Sequence, residues 1–323
     1  MNLKKLLVQM KRYSGPKGIP ICGSLRLEGG KLTSTDLDVF VEAEVPFKGT
    51  GLIPVERLKK IADKNTVTNL YIQDGFAIVE TPKGEFKIQI EDNVEDFPTY
   101  EGDFGKPFAF TIDKEIKDLK YFALPDKGLN DRLKGVHFSD NGEVVATDGI
   151  KIKWLNREVK GNITVPRQLF GLPNGDYQVS SSGSHCKFQM GEVAFILRTV
   201  SGPFPNYRAV IPEETDNPIR FKASRTALIE QVENCVIAGN EVAPVVEINE
   251  RGVMRSYCID FGTEYKGQVK AESNEAFNIA FDANHLLQAL KTSTTIQIEF
   301  KIKEALKAVL LNDDVLLMPI QDR

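Results

Sequence analysis

The sequence predicts an α+β protein of three similar domains, each with two helices packed on antiparallel sheets. A motif that recurs at a constant offset, segments with period-two apolar alternation, and an amphipathic helical stretch opening each copy predict it. Gly30 is followed by Thr35-Asp36 and then Pro54, and Gly142 is followed at the same spacings by Thr147-Asp148 and Pro166. The offset between these copies is 112 residues. A weaker third copy puts Gly252 in the glycine position and Tyr257-Cys258 where Thr-Asp stood.

Each element has a local reason. The glycines sit in "EGGK", "SDNGE" and "NERG", hairpin turns that need positive φ. Pro54 and Pro166 open the helical patterns "VERLKKIADK" and "RQLFGL", and Asp282 to Lys291 is the matching helix of the third copy. The leading helices are "NLKKLLVQMKRY", "DKEIKDLKYFAL" and "SRTALIEQVENCVIAG". In the second of them Ile116, Leu119 and Ala123 form an apolar stripe, with Lys114, Lys117 and Lys120 on another face. "EFKIQIE" and "TTIQIEF" alternate as strands, with Phe86, Ile88 and Ile90 on one face of the former and Ile296, Ile298 and Phe300 on one face of the latter. "EVVATDGIKIKW" reads as one strand in which Thr147 and Asp148 bond nearby backbone and let it kink or change partner. "FPTY" and "FPNY" close the first two copies as stiff exits with an aromatic anchor on each side of proline. The expected domains are residues 1–105, 106–212 and 213–323.

Composition bounds the function. The 323 residues are 41% hydrophobic and 27% charged, near globular averages. No stretch reaches the roughly 18 apolar residues of a membrane span, and the first fifteen residues are too polar for a signal peptide, so a cytoplasmic location is expected. Cys22, Cys186, Cys235 and Cys258 show no CxxC spacing and read as reduced packing residues. Net charge is −4, yet residues 1–20 hold Lys4, Lys5, Lys11, Arg12 and Lys17 with no acid.

Catalytic signatures are absent: there is no GxxxxGK[ST], HExxH or GxSxG. His185-Cys186 are adjacent on a strand pattern and point to opposite faces, which suits packing better than nucleophilic catalysis. No metal or cofactor is expected. Thr35-Asp36 and Thr147-Asp148 read as structural pairs, whereas Gly149 bares backbone where something else can approach. The alternative to a binding protein is an enzyme such as a nucleotide or phosphate hydrolase, with its groups dispersed over loops.

"VVATDGIKIKW", then "SGPFPNYRAVIP", then the ending "LLMPIQDR" resemble the bacterial DNA polymerase III β sliding clamp family in order and spacing. "AEVPFKGTGLIPVERLKKI" and "FNIAFDANHLLQALK" extend the resemblance over nearly the whole chain. It implies a head-to-tail homodimer of three-domain subunits, closed around double-stranded DNA without regard to sequence, that serves a DNA polymerase and a clamp loader. It also implies a pocket for a hydrophobic partner peptide, carried over to Leu133, Thr147, Gly149, Lys151, Ile152, Pro205, Val210, His285, Met318, Pro319 and Ile320. With helices facing inward, the DNA-facing residues would be Lys4, Lys5, Lys11, Arg12, Lys17, Lys59, Lys60, Lys114, Lys117, Lys120 and Arg132. The self-interface would join Phe86, Ile88 and Ile90 to Val236 and Ile237. The chain departs from the family in starting almost inside its first helix, without the strand that usually precedes it, and it is short for a cellular clamp, as a phage-encoded member would be. Ile150 and Ala209 stand where the family often has histidine and arginine, and "QDR" replaces the usual basic-leucine end.

Overall fold

Gly30, Gly142 and Gly252 adopt φ of 76°, 77° and 71°, the left-handed region that side chains disfavour, and each closes a hairpin in its copy. The computed structural model describes residues 3–15, 18–91, 93–213 and 217–321. The first copy runs α1 (Leu3–Arg12), β1 (Ser24–Glu28), β2 (Lys31–Thr35), β3 (Val39–Glu44), β4 (Gly51–Pro54), α2 (Val55–Lys64), β5 (Asn69–Gln73), β6 (Phe76–Thr81) and β7 (Gly84–Gln89). The second runs β8 (Phe108–Ile112), α3 (Lys114–Asp118), β9 (Gly135–Ser139), β10 (Glu143–Thr147), β11 (Lys151–Asn156), β12 (Ile163–Pro166), β13 (Gly175–Ser181), β14 (His185–Met190) and β15 (Val193–Arg198). The third runs β16 (Ile219–Ser224), α4 (Arg225–Ala238), β17 (Val245–Asn249), β18 (Val253–Cys258), β19 (Thr263–Gln268), β20 (Ala271–Ser273), β21 (Asn278–Asp282), α5 (Ala283–Thr292), β22 (Gln297–Ile302), β23 (Val309–Leu311) and β24 (Val315–Leu317).

Sheets ignore the copy boundaries. Packing gives two compact units, Met1–Asp113 with Glu158–Val200 and Lys114–Arg157 with Ser201–Arg323, so the second copy contributes to both. In the first unit, β4-β1-β2-β3 of copy one continues into β15-β14-β13-β8 of copy two. In the second, β9-β10-β11 of copy two continues into β24-β23-β22-β16-β20 of copy three. Both junctions are antiparallel: Val41 lies opposite Phe195 in one and Lys153 opposite Val315 in the other. Two small sheets remain, β5-β6-β7 in the first unit and β19-β18-β17-β21 in the second. Among the described residues, β7 and β19 end their sheets.

In copies two and three the strand leading into the first helix pairs with the strand after the second, β8 on β13 and β16 on β22. Among the described residues no strand takes that place beside β5. The loop after β3 does instead: the Lys48 N–H donates to the Leu70 carbonyl at 3.3 Å, and the Ile72 N–H donates to the Lys48 carbonyl at 3.0 Å. Gly49 (φ 103°) permits the approach, because a Cβ there would lie 2.7 Å from Ile72 Cβ. Gly161, its counterpart in copy two, meets nothing within 4 Å.

Several expectations change. "EVVATDGIKIKW" is two strands, β10 and β11, reversing at the Thr-Asp-Gly turn. Regular helix in copy two stops at Asp118 and continues as a single 3-10 turn, and "RQLFG" is also 3-10. Ile116, Leu119 and Ala123 are nonetheless buried. Ile298 and Phe300 are buried on β22, but Ile296 precedes the strand and is 85% exposed.

Candidate functional site

The β10–β11 turn is held by its own side chains. Thr147 Oγ1 donates to the Lys151 carbonyl at 2.9 Å and accepts from the Gly149 N–H at 3.0 Å. Asp148 Oδ1 accepts from the N–H groups of Ile150 and Lys151, both at 2.9 Å. Asp148 Oδ2 is 2.5 Å from Lys151 Nζ, which pairs a buried ammonium. The braced turn leaves Gly149 (φ 93°) and Ile150 exposed, with space above Gly149 bounded by Leu133 Cδ1 at 3.9 Å from where a Cβ would stand.

The tail and the cluster behind β11 connect other pocket candidates to this turn. Met318 N–H donates to the Ile150 carbonyl at 3.0 Å, as β24 pairs with β11, and Met318 stays 41% exposed. Pro319 follows, half-buried, and the Ile320 N–H bonds the Ala280 carbonyl at 2.8 Å on β21. Ile152 lies in a cluster with Val145, Trp154, Tyr207, Leu310 and Leu316, packed by Phe204 and Ile211. That cluster fixes the segment bearing Pro205 and Val210, both exposed. Tyr207 Oη donates to the buried Glu143 carboxylate at 2.6 Å, and Arg208 pairs with the same group. Phe204 stacks on His137 at 4.5 Å. His285 is half-buried on α5; burial, then the charge of Lys151, holds its imidazole below the ordinary value, opposed by Asp282 and Asp148. Exposed apolar side chains over a rigid, braced floor suit capture of a short apolar segment.

Sequence reasoning did not single out Lys153, buried and paired with Asp314 at 2.8 Å. Its Nζ lies 5.9 Å from the Phe122 ring centre, with Lys151 Nζ at 6.0 Å from the same ring. Nor did it single out Glu143. The visible signals were Lys153 between Ile152 and Trp154 and Glu143 at the head of the apolar run Val144-Val145-Ala146.

The cationic candidates are less bare than the sequence suggests. Lys11 pairs with Glu56 at 2.7 Å and Lys59 with Asp63 at 2.5 Å, while Lys4 Nζ donates to the Asp63 carbonyl at 3.0 Å. Glu56 and Asp63 are held below the ordinary carboxylate values, chiefly by hydrogen bonds from Lys11 and Lys59 respectively. Thus α2 brings acids to the acid-free stretch of α1. Arg12 donates to the Gly171 carbonyl at 3.0 Å. Lys5, Lys60, Lys120 and Arg132 are exposed and Lys117 half-buried; Lys114 pairs with Asp118 at 2.5 Å and Lys120 lies over the Tyr121 ring. Lys17 lies outside the described residues.

Of the self-interface candidates, Ile237 is 80% exposed at the end of α4 and Val236 is half-buried. On β7 and just past it the expected apolar face turns inward: Ile88 and Ile90 are buried, Ile90 lying under Gly51, and only Phe86 is exposed. Their own unit covers the two isoleucines. His185 and Cys186 do face opposite ways. His185 packs against Tyr100 with ring centres 3.9 Å apart and planes tilted by 38°, and full burial pushes the Cys186 thiol up, the reverse of what a nucleophile needs.

No family model matches the chain. It is 23% identical to the β sliding clamp of Proteus mirabilis over 95% of this chain and 93% of that protein. The crystal structure of the DNA polymerase III subunit beta from Pseudomonas aeruginosa superposes with a TM-score of 0.85 at 22% identity, covering 99% of this chain and 98% of that one. The fold is that of the β sliding clamps. The chain is similar to them in sequence over nearly its whole length. A sliding clamp from Pseudomonas aeruginosa bound to griselimycin superposes with a TM-score of 0.84 at 22% identity, over 99% of this chain and 97% of that one. No helix among the described residues is long and apolar enough to cross a membrane.

Proposed function

We propose that the protein is a DNA sliding clamp: two copies join head to tail into a ring around duplex DNA and hold polymerases through the pocket beside Gly149. The carrying observation is the pattern of sheet junctions. The third strand after the first helix of one copy pairs with the last strand of the next at β3–β15 and again at β11–β24. Continuing the pattern, β19 calls for a last strand, and β7 is the last strand without a neighbour on its outer side. Among the described residues these three copies leave the place beside β19 open, and a second chain's β7 can fill it. Such a head-to-tail contact closes when its rotation brings the ends together.

The cations on α1, α2 and α3 then serve as weak, sequence-independent phosphate contacts, which suits a device that holds DNA by enclosure. Pairing of Lys11 and Lys59 with acids lowers the attraction without abolishing it. A clamp loader is the partner such a closed ring requires.

Sedimentation tests this. The wild-type protein should run as a dimer at micromolar concentration, and Ile237→Lys as a monomer. Placed by a clamp loader on a nicked circular duplex, the dimer should be retained there and released when the circle is cut. A monomeric wild type, or equal retention on linear and circular DNA, overturns the proposal.

A further inference from the structure

β7 and β19 carry related sequences: "GEFKIQ" (Gly84–Gln89) and "TEYKGQ" (Thr263–Gln268) share Glu, an aromatic residue, Lys and Gln at the same positions. Glu85 and Lys87 are exposed on one strand, Glu264 and Lys266 on the other. The aromatic residues point to the opposite face. Phe86 shares that face with the buried Ile88, and Tyr265 donates to Gln231 Oε1 of α4 at 2.6 Å and accepts from Asn234 Nδ2 at 3.1 Å.

The two junctions inside the chain constrain how these strands can meet. Thr35, Thr147 and Tyr257 each lie five residues after their hairpin glycine, and they pair across the next turn with Phe40, Ile152 and Glu264. The residues that follow, Val41, Lys153 and Tyr265, are therefore equivalent. Val41 faces Phe195, the third residue of a last strand, whereas Lys153 faces Val315, the first. Transferred to β7, the first junction sets Tyr265 opposite Phe86 and the second sets it opposite Gly84. Either choice keeps helix-facing side chains on one face, as antiparallel pairing demands.

Charge separates them. With Tyr265 opposite Gly84, Glu85 meets Glu264. With Tyr265 opposite Phe86, Glu85 meets Lys266 and Lys87 meets Glu264, while the two aromatic rings come together. We infer that the self-interface adopts the second of these registers: an antiparallel β7–β19 pair centred on Phe86 and Tyr265 and flanked by the crossed ion pairs Glu85–Lys266 and Lys87–Glu264. This rests on the head-to-tail dimer proposed above and adds its register, which makes the edge selective for a second copy of this chain.

Charge reversal tests it. The double variant Glu85→Lys with Lys87→Glu sets like charges against the partner at both junctions. So does Glu264→Lys with Lys266→Glu. Each should raise the dimer dissociation constant by at least about tenfold, since opposed like charges are destabilising in cross-strand pairs. The defect should shrink in high salt. Mixing the two double variants should restore a dimer with one copy of each, because both junctions then regain complementary pairs. Tighter self-association of Glu85→Lys with Lys87→Glu would show Glu85 facing Glu264 and overturn this register. Wild-type-like dimers from both variants, or no rescue on mixing, overturn it as well. A monomeric wild type would instead remove the dimer itself.

Discussion

The turns at Thr35-Asp36-Leu37 and Thr147-Asp148-Gly149 are built alike and do different things. In the first, Thr35 Oγ1 donates to the Val39 carbonyl at 3.0 Å and accepts from the Leu37 N–H at 2.9 Å, while Asp36 Oδ1 accepts from the N–H groups of Asp38 and Val39 at 3.1 and 2.9 Å. The second repeats every one of these bonds 112 residues later. The Thr-Asp pair is therefore a brace for a tight reversal. What differs is the third residue: Leu37 holds φ 76° with a half-buried side chain, whereas Gly149 holds φ 93° with none. Copy one fills the position and accepts a strained backbone; copy two leaves it bare beside Leu133, Ile150 and Met318.

Asp148→Ala should separate the two turns most. It removes two backbone hydrogen bonds and strands the buried Lys151 ammonium, a loss of about 3 kcal/mol. Asp36→Ala removes the matching backbone bonds, but Val39 stands where copy two has Lys151, so no ammonium is stranded at that position and the loss should be smaller. Urea denaturation of both variants measures the gap; equal losses would show that Lys151 finds another partner.

Gly149 can be dissected by size. Gly149→Ala should cost about 1 kcal/mol through its left-handed φ yet keep peptide binding, because the new Cβ meets only Leu133 at ordinary contact distance. Gly149→Phe should cut the affinity for a fluorescent polymerase-derived apolar peptide by at least about tenfold by filling the space a ligand would use. Leu37→Phe should leave it unchanged. Equal peptide affinity of wild type and Gly149→Phe would remove Gly149 from the pocket.

This comparison also marks what the sequence shows and what it hides. The three hairpins were legible because positive φ selects glycine locally. The Thr-Asp reversal was read as a continuing strand because apolar alternation runs on through β10 and β11 on either side of it. Sheets that cross copy boundaries were not legible, since pairs such as Val41 with Phe195 are far apart in sequence and share no local signature. Of the pocket candidates carried by matching motifs, Leu133 lies near Gly149 and Met318 bonds the neighbouring Ile150 carbonyl. Lysines chosen for an acid-free helix proved partly paired, because Glu56 and Asp63 reach α1 only through helix packing.

The smallest effect concerns acid. His285 is kept below its ordinary value of 6.5 by burial and by Lys151, against Asp282 and Asp148, so below about pH 6.5 the unfolded chain binds the proton that the folded chain resists. Its contribution is full above that value and is lost as pH falls. His285→Asn should make thermal stability fall less steeply between pH 6.5 and 5. His185, depressed by burial and Arg198, should leave a residual slope.

The loop that seals β5 bears on how the chain is made. Lys48 reaches Tyr71 across a short span, whereas β8 must wait for β13 and β16 for β22. Short loops close at little entropic cost, and contacts between near neighbours form fast. The three-stranded sheet and its seal are thus complete once residue 91 has left the ribosome, while the eight-stranded sheet cannot close before Arg198 is synthesised. During that interval the nascent chain already carries one finished edge strand, β7, with its outer side unpaired among the described residues.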